Sequence, residues 1–462
     1  MKLILLSGGS GKRLWPMSND ARSKQFLKVL RGPQDTNISM LQRVWGQLQD
    51  VGLDGSAYVC ASKPQWETVL HQIGEVPFIE EPMRRDTFPA IALATLYLLD
   101  VETVSTSEVV AVVPVDHFVD DHYFETIAKL EGVLSESGAN LALMGVTPSE
   151  PTSKFGYISV HPSSDGVRWH QVHRFVEKPP ESLAAELIRE GALWNCGVFA
   201  FRAGYLRSLL ELRGLPSTFA EFRDGFETLP MRSFDYEVVE SAASVVVIPY
   251  TGTWKDLGTW STLTEEMGHT VAGLGNATAC DGTHVINELG IPVVAIGLQR
   301  AVVVATPDGI LVTDKEMSAH LKDAIKPFAN RPMYEERRWG SYRVLDYQKL
   351  EDAEVLTKWI EIKPGSNISY QKHFKRTETW TILAGVGEVA LDTRIFPIAA
   401  GDVVRIYAEQ WHAIRAFQEL KLVEVQRGSE LIEEDILRRY STWEEVENAC
   451  SLGRQRSAVW QH

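Results

Sequence analysis

"KLILLSGGSGKRLWP" (residues 2–16) decides how the rest of the chain is read. The apolar run stops at Ser7, two glycines follow, and Gly11 stands directly before Lys12 and Arg13. A short apolar run closed by glycines reads as a buried strand of a parallel sheet. Glycines between a strand and a helix permit positive φ and let backbone N–H groups come close to a ligand. The helix that follows adds partial positive charge at its N-terminus, so such a turn favours a phosphate. Gly8, Gly9 and Gly11 are the first candidate ligand-binding residues on this reading. Arg13 supplies a planar, permanently charged fork for phosphate oxygens, and Lys24 in "SKQF" (23–26) a second cation. Neither familiar phosphate loop fits. A P-loop needs a glycine where Leu6 stands and Ser or Thr where Arg13 stands, and the dinucleotide fingerprint fails at Leu14. A plain strand–turn–helix with solvated basic residues also accounts for the glycines taken alone.

Outward from this turn, "VVAVVPV" (109–115) is a second buried-strand run and "AIALATLYLLD" (90–100) has a helical pattern. Strand and helix alternate to about residue 265, which predicts an α/β domain over 1–265, Rossmann-like with a mostly parallel sheet. Residues 270–314 change texture to short strands with Gly, Asn and Asp turns, so 266–325 reads as a β-rich connecting segment. "KPFANRP" (326–332) reads as a linker. Residues 339–428 are strand-rich with glycine-bearing turns, predicting a small β-barrel or sandwich in a domain over 326–445. "EEDILRR" (433–439) and "TWEEVENA" (442–449) look helical, and 446–462 reads as a tail.

A chain of 462 residues accommodates two to four domains, and 44% apolar content is ordinary for a globular protein. Lys and Arg number 46 against 61 Asp and Glu, a net charge of −15. That balance argues against a nucleic-acid or anionic-membrane partner, but not against a small phosphate ligand held in a local positive pocket. The four cysteines are far apart and form no CxxC, so neither a zinc clip nor a disulfide framework is expected and a reduced, cytoplasmic setting fits. The opening apolar run is too short for a signal peptide, and no stretch approaches 18 apolar residues.

The order "GGSGKRLWP…SKQF" resembles the sugar-1-phosphate nucleotidyltransferases, and Trp15–Pro16 with Lys24–Gln25–Phe26 resembles the mannose-1-phosphate guanylyltransferase branch. The likeness continues in order. "EPMRRDTFPAIALA" (81–94) is similar to EPxGRNTAPAIALA, "VPVDH" (113–117) to PADH, and "SKFGYI" (153–158) to KYGYI. "FVEKPP" (175–180) and "WNCGVF" (194–199) have close counterparts, "SFDYEVVE" (233–240) is similar to SFDYAVME, and "WKDLGTW" (254–260) to WxDxGxW. Met83, Arg84, Asp86 and Cys196 depart from the pattern.

The resemblance implies transfer of a nucleotidyl group to a sugar 1-phosphate with release of pyrophosphate. That reaction gathers several negative groups and needs cations and in-line positioning. A hard Mg²⁺ held by one or two carboxylates suits it. Asp116 ends the strand "VVAVVPV", where ligands of open α/β sheets gather, so it can face the same crevice as the glycine turn. Asp256, between Trp254 and Trp260, is the second acid. A helix cap for Asp116 and a turn aspartate among core tryptophans for Asp256 are the plainer alternatives. The resemblance implies that Arg13 and Lys24 hold the triphosphate, that Asp116 and Asp256 bind Mg²⁺, and that Arg85 and Thr87 approach the nucleotide. It places Glu177, Lys178 and Asn195 at the sugar phosphate and makes Gly156 a further substrate-binding residue. An acid can accept sugar hydroxyls and a lysine can pair with phosphate; a surface ion pair for Glu177–Lys178 and a turn cap for Asn195 are the simpler readings.

"PGSNISYQKHFKRTETWTILAG" (364–385) resembles the first cupin motif, with Gly365, His373, Glu378 and Gly385 in register and Gln371 in place of the first histidine. "GDVVRIYAEQWH" (401–412) keeps the second motif's spacing to His412. Gln371 and His373 differ by two and share one face of a strand. Gln371, His373, Glu378 and His412 form a candidate mixed N/O set for Zn, Mn, Fe or Ni, and a metal-free barrel with a core histidine is the alternative. With "RRWGSY" (337–342) and "VEVQRG" (423–428), this region resembles the type II phosphomannose isomerase domain. Phe374, Lys375, "HAIRA" and "DILRRYSTWEE" depart from it. The expected activity is guanylyl transfer from GTP to mannose 1-phosphate, giving GDP-mannose and pyrophosphate. Alternatives are an added isomerisation of mannose 6-phosphate and fructose 6-phosphate, or a transferase of another nucleotide or sugar whose cupin binds or assembles. Homo-oligomerisation is left open.

Overall fold

The computed structural model describes residues 1–8, 12–19, 22–161, 168–328, 331–432 and 435–450. Two of the candidate glycines, Gly9 and Gly11, lie outside the described residues. The chain divides into two compact units, one of residues 1–269 with 315–321 and one of residues 270–314 with 322–462. The segment read as a connector, 266–325, is therefore shared between them, most of it belonging to the second unit.

The first unit is built on a nine-stranded sheet. Four neighbouring strands, Phe78–Glu81, Ala57–Ser62, Lys2–Leu6 and Val109–Pro114, run parallel. Their runs of Leu, Ile, Val and Ala are sealed from water on both faces, Leu3, Ile4, Leu5 and Val110–Val113 being fully buried. The expected parallel pairing holds over this half. Beyond it, Leu193–Arg202 pairs antiparallel with both Val109–Pro114 and Leu141–Val146, and Val245–Tyr250 returns parallel to Leu141–Val146. An antiparallel hairpin, Tyr157–Val160 with His170–Val176, completes the sheet. The helix Thr87–Asp100 is apolar nearly all round because it packs in the interior, with the helices Ala203–Leu212 and Phe219–Asp224 against it.

The parallel half sets the site. The carboxyl ends of its strands carry Glu81, the Ser7–Gly8 turn and Asp116 on one edge of the sheet. A separate two-stranded ribbon pairs His117–Val119 with Trp254–Asp256, with His117 directly opposite Asp256.

In the second unit, Val271–Ala272, His284–Asn287 and Ala301–Thr306 stack in parallel, and Gly275–Thr278 stacks on Val293–Ile296. These are successive coils that bury Val285, Ala295 and Val303 between them. Gly273 turns one corner at φ 90, where a Cβ would collide with the Asn287 carbonyl. The rest is a sandwich of a six-stranded and a five-stranded antiparallel sheet around Tyr342, Ile360, Trp380, Val389, Ile414 and Leu422. Residues 443–450 are helical and pack Trp443, Val446 and Cys450 on this domain, so the beginning of the expected tail belongs to the fold. Of the helix expected at 433–439, Glu433 and Glu434 lie outside the described residues. Leu437–Tyr440 is instead an edge strand paired with Asn367–Lys372. No helix among the described residues is long and apolar enough to cross a membrane.

Candidate functional site

The crevice above the parallel strands is assembled by polar side chains that the sequence spends on positioning. Residues 24–26 form one turn of 3-10 helix directly after Ser23. Gln25 is buried and donates to the Ser7 carbonyl and to Ser7 Oγ at 3.1 Å, bolting this turn to the end of the first strand. Gln65 donates to Ser23 Oγ at 2.8 Å and Gln72 to the Phe26 carbonyl at 2.9 Å. Buried amides with all these partners made fix the turn, since each broken one would leave a desolvated polar group. Trp260 Nε1 donates to the Trp15 carbonyl at 3.1 Å, which ties "RLWP" to "WKDLGTW".

Lys24 is the residue so positioned. Its Nζ lies 2.9 Å from Asp116 Oδ2 and 2.8 Å from Asp256 Oδ1. The two acids are 140 positions apart in sequence, and the His117–Asp256 pairing of the short ribbon brings them together. Burial alone would lower the Lys24 pKa, but Asp116 and Asp256 raise it. Burial pushes Asp116 up; Lys24, then His117, outweigh it and hold the carboxyl well below the usual range. Asp116 and Asp256 are therefore two oxygen-donor groups converging on one cation position, a donor set that fits a hard divalent ion. The helix expected after the glycines is, among the described residues, only the three-residue 3-10 turn Lys12–Leu14, too short to present a helix N-terminus to a phosphate, and Arg13 is exposed on it.

A second cluster lies around Gly156. A Cβ there would collide with Glu177 Oε2 and approach Phe175 to 2.9 Å, so glycine is required for Glu177 to fold over this strand end. Glu177 Oε1 is paired with Lys178, while Oε2 is buried without a partner. Asn195 receives the other side: its backbone N–H donates to the Gly156 carbonyl at 2.8 Å, and its Nδ2 donates to Asp235 Oδ1 at 2.6 Å. Burial, reinforced by the Glu177 charge, pushes the Asp235 carboxyl up to about 6. An aromatic group joins the two clusters. The Trp254 ring lies tilted 4.8 Å from His117 and edge-on 5.0 Å from Phe155, and Phe155 lies 5.0 Å from Trp194, next to Asn195.

The side chains of Arg85 and Thr87 bond to the segment 229–234. Arg85 Nη1 donates to the Leu229 carbonyl at 2.7 Å, and Thr87 Oγ1 accepts from the Phe234 N–H at 2.8 Å. Both anchor the segment that delivers Asp235. Asp86 between them has φ 69 and caps the helix by accepting from the Thr87 N–H, backbone strain of the kind that clusters at functional sites.

Two residues escaped sequence reasoning although both lie inside quoted motifs. Asp235 is one. The other is Glu81, 5% exposed, whose Oε2 would be 3.6 Å from a Cβ on Gly8. Burial pushes its carboxyl up to about 7, against the lowering effect of the Arg85 backbone N–H. The signal was an acid at the end of an apolar strand, "PFIEEP", which cannot be told from a surface residue until the strand's neighbours are known.

In the second unit, His373, Glu378 and His412 are all buried and present ligand atoms within 4.8 Å of one another. His373 Nδ1 donates to the Asp435 carbonyl at 2.6 Å and His412 Nδ1 to the Gln410 carbonyl at 2.9 Å, so both Nε2 lone pairs face inward. His412 Nε2 and Glu378 Oε2 have no hydrogen-bond partner and lie 3.7 Å apart. These orphaned buried atoms fit a metal ion. Gln371 Nε2 lies 3.5 Å from His373 Nε2, and Arg376 approaches the same nitrogen at 3.1 Å and donates to Glu378 Oε1 at 3.0 Å. Burial raises Glu378, but His412, His373 and Arg376 pull it down to about 2.

Comparison with known proteins agrees with this division. The nucleotidyl transferase family matches residues 2–272, and the mannose-6-phosphate isomerase C-terminal family matches residues 329–441. An alginate biosynthesis protein, AlgA, of Pseudomonas putida is 32% identical over 94% of this chain and 94% of its own length. A mannose-1-phosphate guanylyltransferase of Escherichia coli is 30% identical over 94% of this chain and 97% of its own length. Among solved structures, a Thermus thermophilus protein described as a mannose-1-phosphate geranyltransferase superposes with a TM-score of 0.61 at 28% identity, covering 71% of this chain and 99% of that one.

Proposed function

This chain belongs to the nucleotidyl transferase family and carries a mannose-6-phosphate isomerase C-terminal domain, and from that premise we propose that it joins GTP to mannose 1-phosphate, giving GDP-mannose and pyrophosphate. The observation that carries the reading is the convergence of Asp116 and Asp256 on Lys24, whose neighbour Gln25 is bonded to Ser7 at the end of the first strand.

The sugar phosphate oxygen attacks the α-phosphorus of GTP, and the bond to the β-phosphate bridging oxygen breaks, so pyrophosphate leaves. Mg²⁺, when bound, neutralises charge on the phosphates. Asp116 and Asp256 would hold it. Lys24 keeps the two acids from repelling each other before substrate arrives, then turns its ammonium to the phosphates. The Arg13 guanidinium and the Ser7–Gly8 backbone line the triphosphate path.

Glu81 supports the choice of guanine. In its ionised form the Glu81 carboxyl beside Gly8 accepts hydrogen bonds from guanine N1–H and its exocyclic amine, which favour that form over the protonated one, whereas adenine offers no donor at N1. Glu177 Oε2, buried without a partner, and the Asn195–Asp235 pair are acceptors for sugar hydroxyls, with Lys178 poised for the sugar's phosphate.

Pyrophosphate release measured across a matrix of nucleoside triphosphates and sugar 1-phosphates tests the reading. The expected result is fastest release with GTP and mannose 1-phosphate; a faster pairing of any other kind overturns the substrate assignment.

A second reading is favoured by the orphaned His412 and Glu378 atoms: the C-terminal domain also interconverts mannose 6-phosphate and fructose 6-phosphate. A metal there, held by His373, Glu378 and His412 with Gln371 at its edge, would polarise the sugar carbonyl. Fructose 6-phosphate appearing from mannose 6-phosphate is the expected outcome, and its absence from a metal-loaded sample removes this reading.

A further inference from the structure

A cavity of about 370 Å³ lies in the second unit, away from the His373 cluster and lined by Glu288, Pro307, Tyr334, Arg343, Trp359 and Glu361 among others. Its floor is the six-stranded sheet's face opposite the core. Tyr334 pairs with Arg343 and Arg343 with Trp359, so three neighbouring strands set these side chains in one row, and Glu361 stands two residues along from Trp359. The other wall comes from the coiled segment through Glu288 and Pro307. The rim is fastened where the Met333 N–H donates to Asp308 Oδ1 at 2.9 Å. Trp359 Nε1 donates to Glu361 Oε1 at 3.0 Å, which fixes the indole plane and the carboxylate together. The lining side chains named here are half-buried, so the cavity is sheltered yet reachable.

We propose that this cavity binds an uncharged hexopyranose ring, free or at the end of a longer glycan. Each lining group answers a feature of such a ring. Its C–H face packs on the Trp359 indole and the Tyr334 ring. Its hydroxyls donate to the carboxylates of Glu361 and Glu288 and accept from the Arg343 guanidinium. The volume falls in the range of small-ligand pockets. Arg343 is the one cation of the lining and faces the carboxylates of Glu361 and Glu288, and Lys421, 3.7 Å from Glu361 Oε1, lies outside the lining. No excess positive charge is left in the cavity for a sugar phosphate, which separates this ligand from the substrates of the transferase crevice. The site is distinct from both clusters described above and shares no residue with them.

Saturation-transfer NMR on the full chain tests the assignment, with methyl α-D-mannopyranoside, methyl α-D-glucopyranoside and mannobiose as probes and GDP-mannose present to fill the transferase crevice. Saturable transfer from at least one probe is expected, with a dissociation constant of roughly 1–10 mM, the range of a small ligand making few contacts. Trp359→Ala should abolish the transfer and Glu361→Gln should weaken it about tenfold, as expected for loss of one charge-assisted hydrogen bond. Both should leave pyrophosphate release unchanged. Glu361→Gln keeps the shape of the side chain, so its result stands whether or not Trp359→Ala folds. Transfer from mannobiose alone assigns the ligand as a glycan end. No saturable transfer from any probe up to about 100 mM, or transfer undiminished in both variants, overturns the proposal.

Discussion

The two clusters are built from similar acids to opposite effect. In the first unit Asp116 and Asp256 are only half-buried, and the position between them is held by the Lys24 ammonium. In the second, Glu378 and two imidazoles are at most 2% exposed, and backbone carbonyls lock both rings with their lone pairs inward. An open pair with a displaceable ammonium suits an ion that arrives with a phosphate substrate and leaves with the product. A closed, pre-oriented N/O set suits a resident ion. Burial and the source of the balancing charge distinguish a transient cation site from a permanent one.

Five substitutions break or sharpen that contrast. Asp116→Asn or Asp256→Asn should lower the rate of pyrophosphate release by roughly 10³-fold or more, the scale of several kcal/mol of transition-state charge stabilisation. The metal content of the second unit should not change, as elemental analysis would check. His412→Ala should do the reverse. It should remove tightly held transition metal, seen by mass spectrometry after dialysis, because it deletes one of three converging ligands, and it should leave pyrophosphate release alone.

Glu81→Gln should reduce kcat/KM for GTP by about 10–100-fold and narrow its advantage over ATP, since the amide offers one acceptor where the carboxylate offers two. An unchanged preference would remove Glu81 from base recognition.

The smallest effect belongs to Asp235→Asn. The folded protein raises this carboxyl to about 6, so between its ordinary pKa and 6 the folded state holds a proton the unfolded chain has lost. Stability then falls as pH rises through that window. Removing the charge should stabilise the protein by about 1 kcal/mol at pH 7 and flatten the fall, measured by denaturant titration at pH 4.5 and 7. The KM for the sugar phosphate should rise several-fold while kcat changes little.

Much of this was legible in the sequence because some signals are local. A glycine turn after an apolar run, and an acid ending another such run, are short-range features that place Gly8 and Asp116 without any tertiary knowledge. Asp256 was readable as an acid between tryptophans, but its partnership with Lys24 rests on the register of a three-residue ribbon, which no periodicity encodes. Glu81 and Asp235 were hidden for the same reason: each is polar, near an element end, and buried only by residues far away in sequence. The helical expectation gives way over Leu437–Tyr440 because these residues pair with an available sheet edge, Asn367–Lys372, which overrules local propensity. The coiled segment 270–314 read as a connector since each short strand alone lacks a core; only stacking buries Val285, Ala295 and Val303.

The central claim is that Asp116 and Asp256 jointly hold the divalent ion on the triphosphate. Electron paramagnetic resonance of Mn²⁺ titrated into the full chain with GTP measures this directly. The expected result is one nucleotide-dependent site whose dissociation constant rises at least tenfold in Asp116→Asn and, separately, in Asp256→Asn. An unchanged affinity in either variant would contradict the claim.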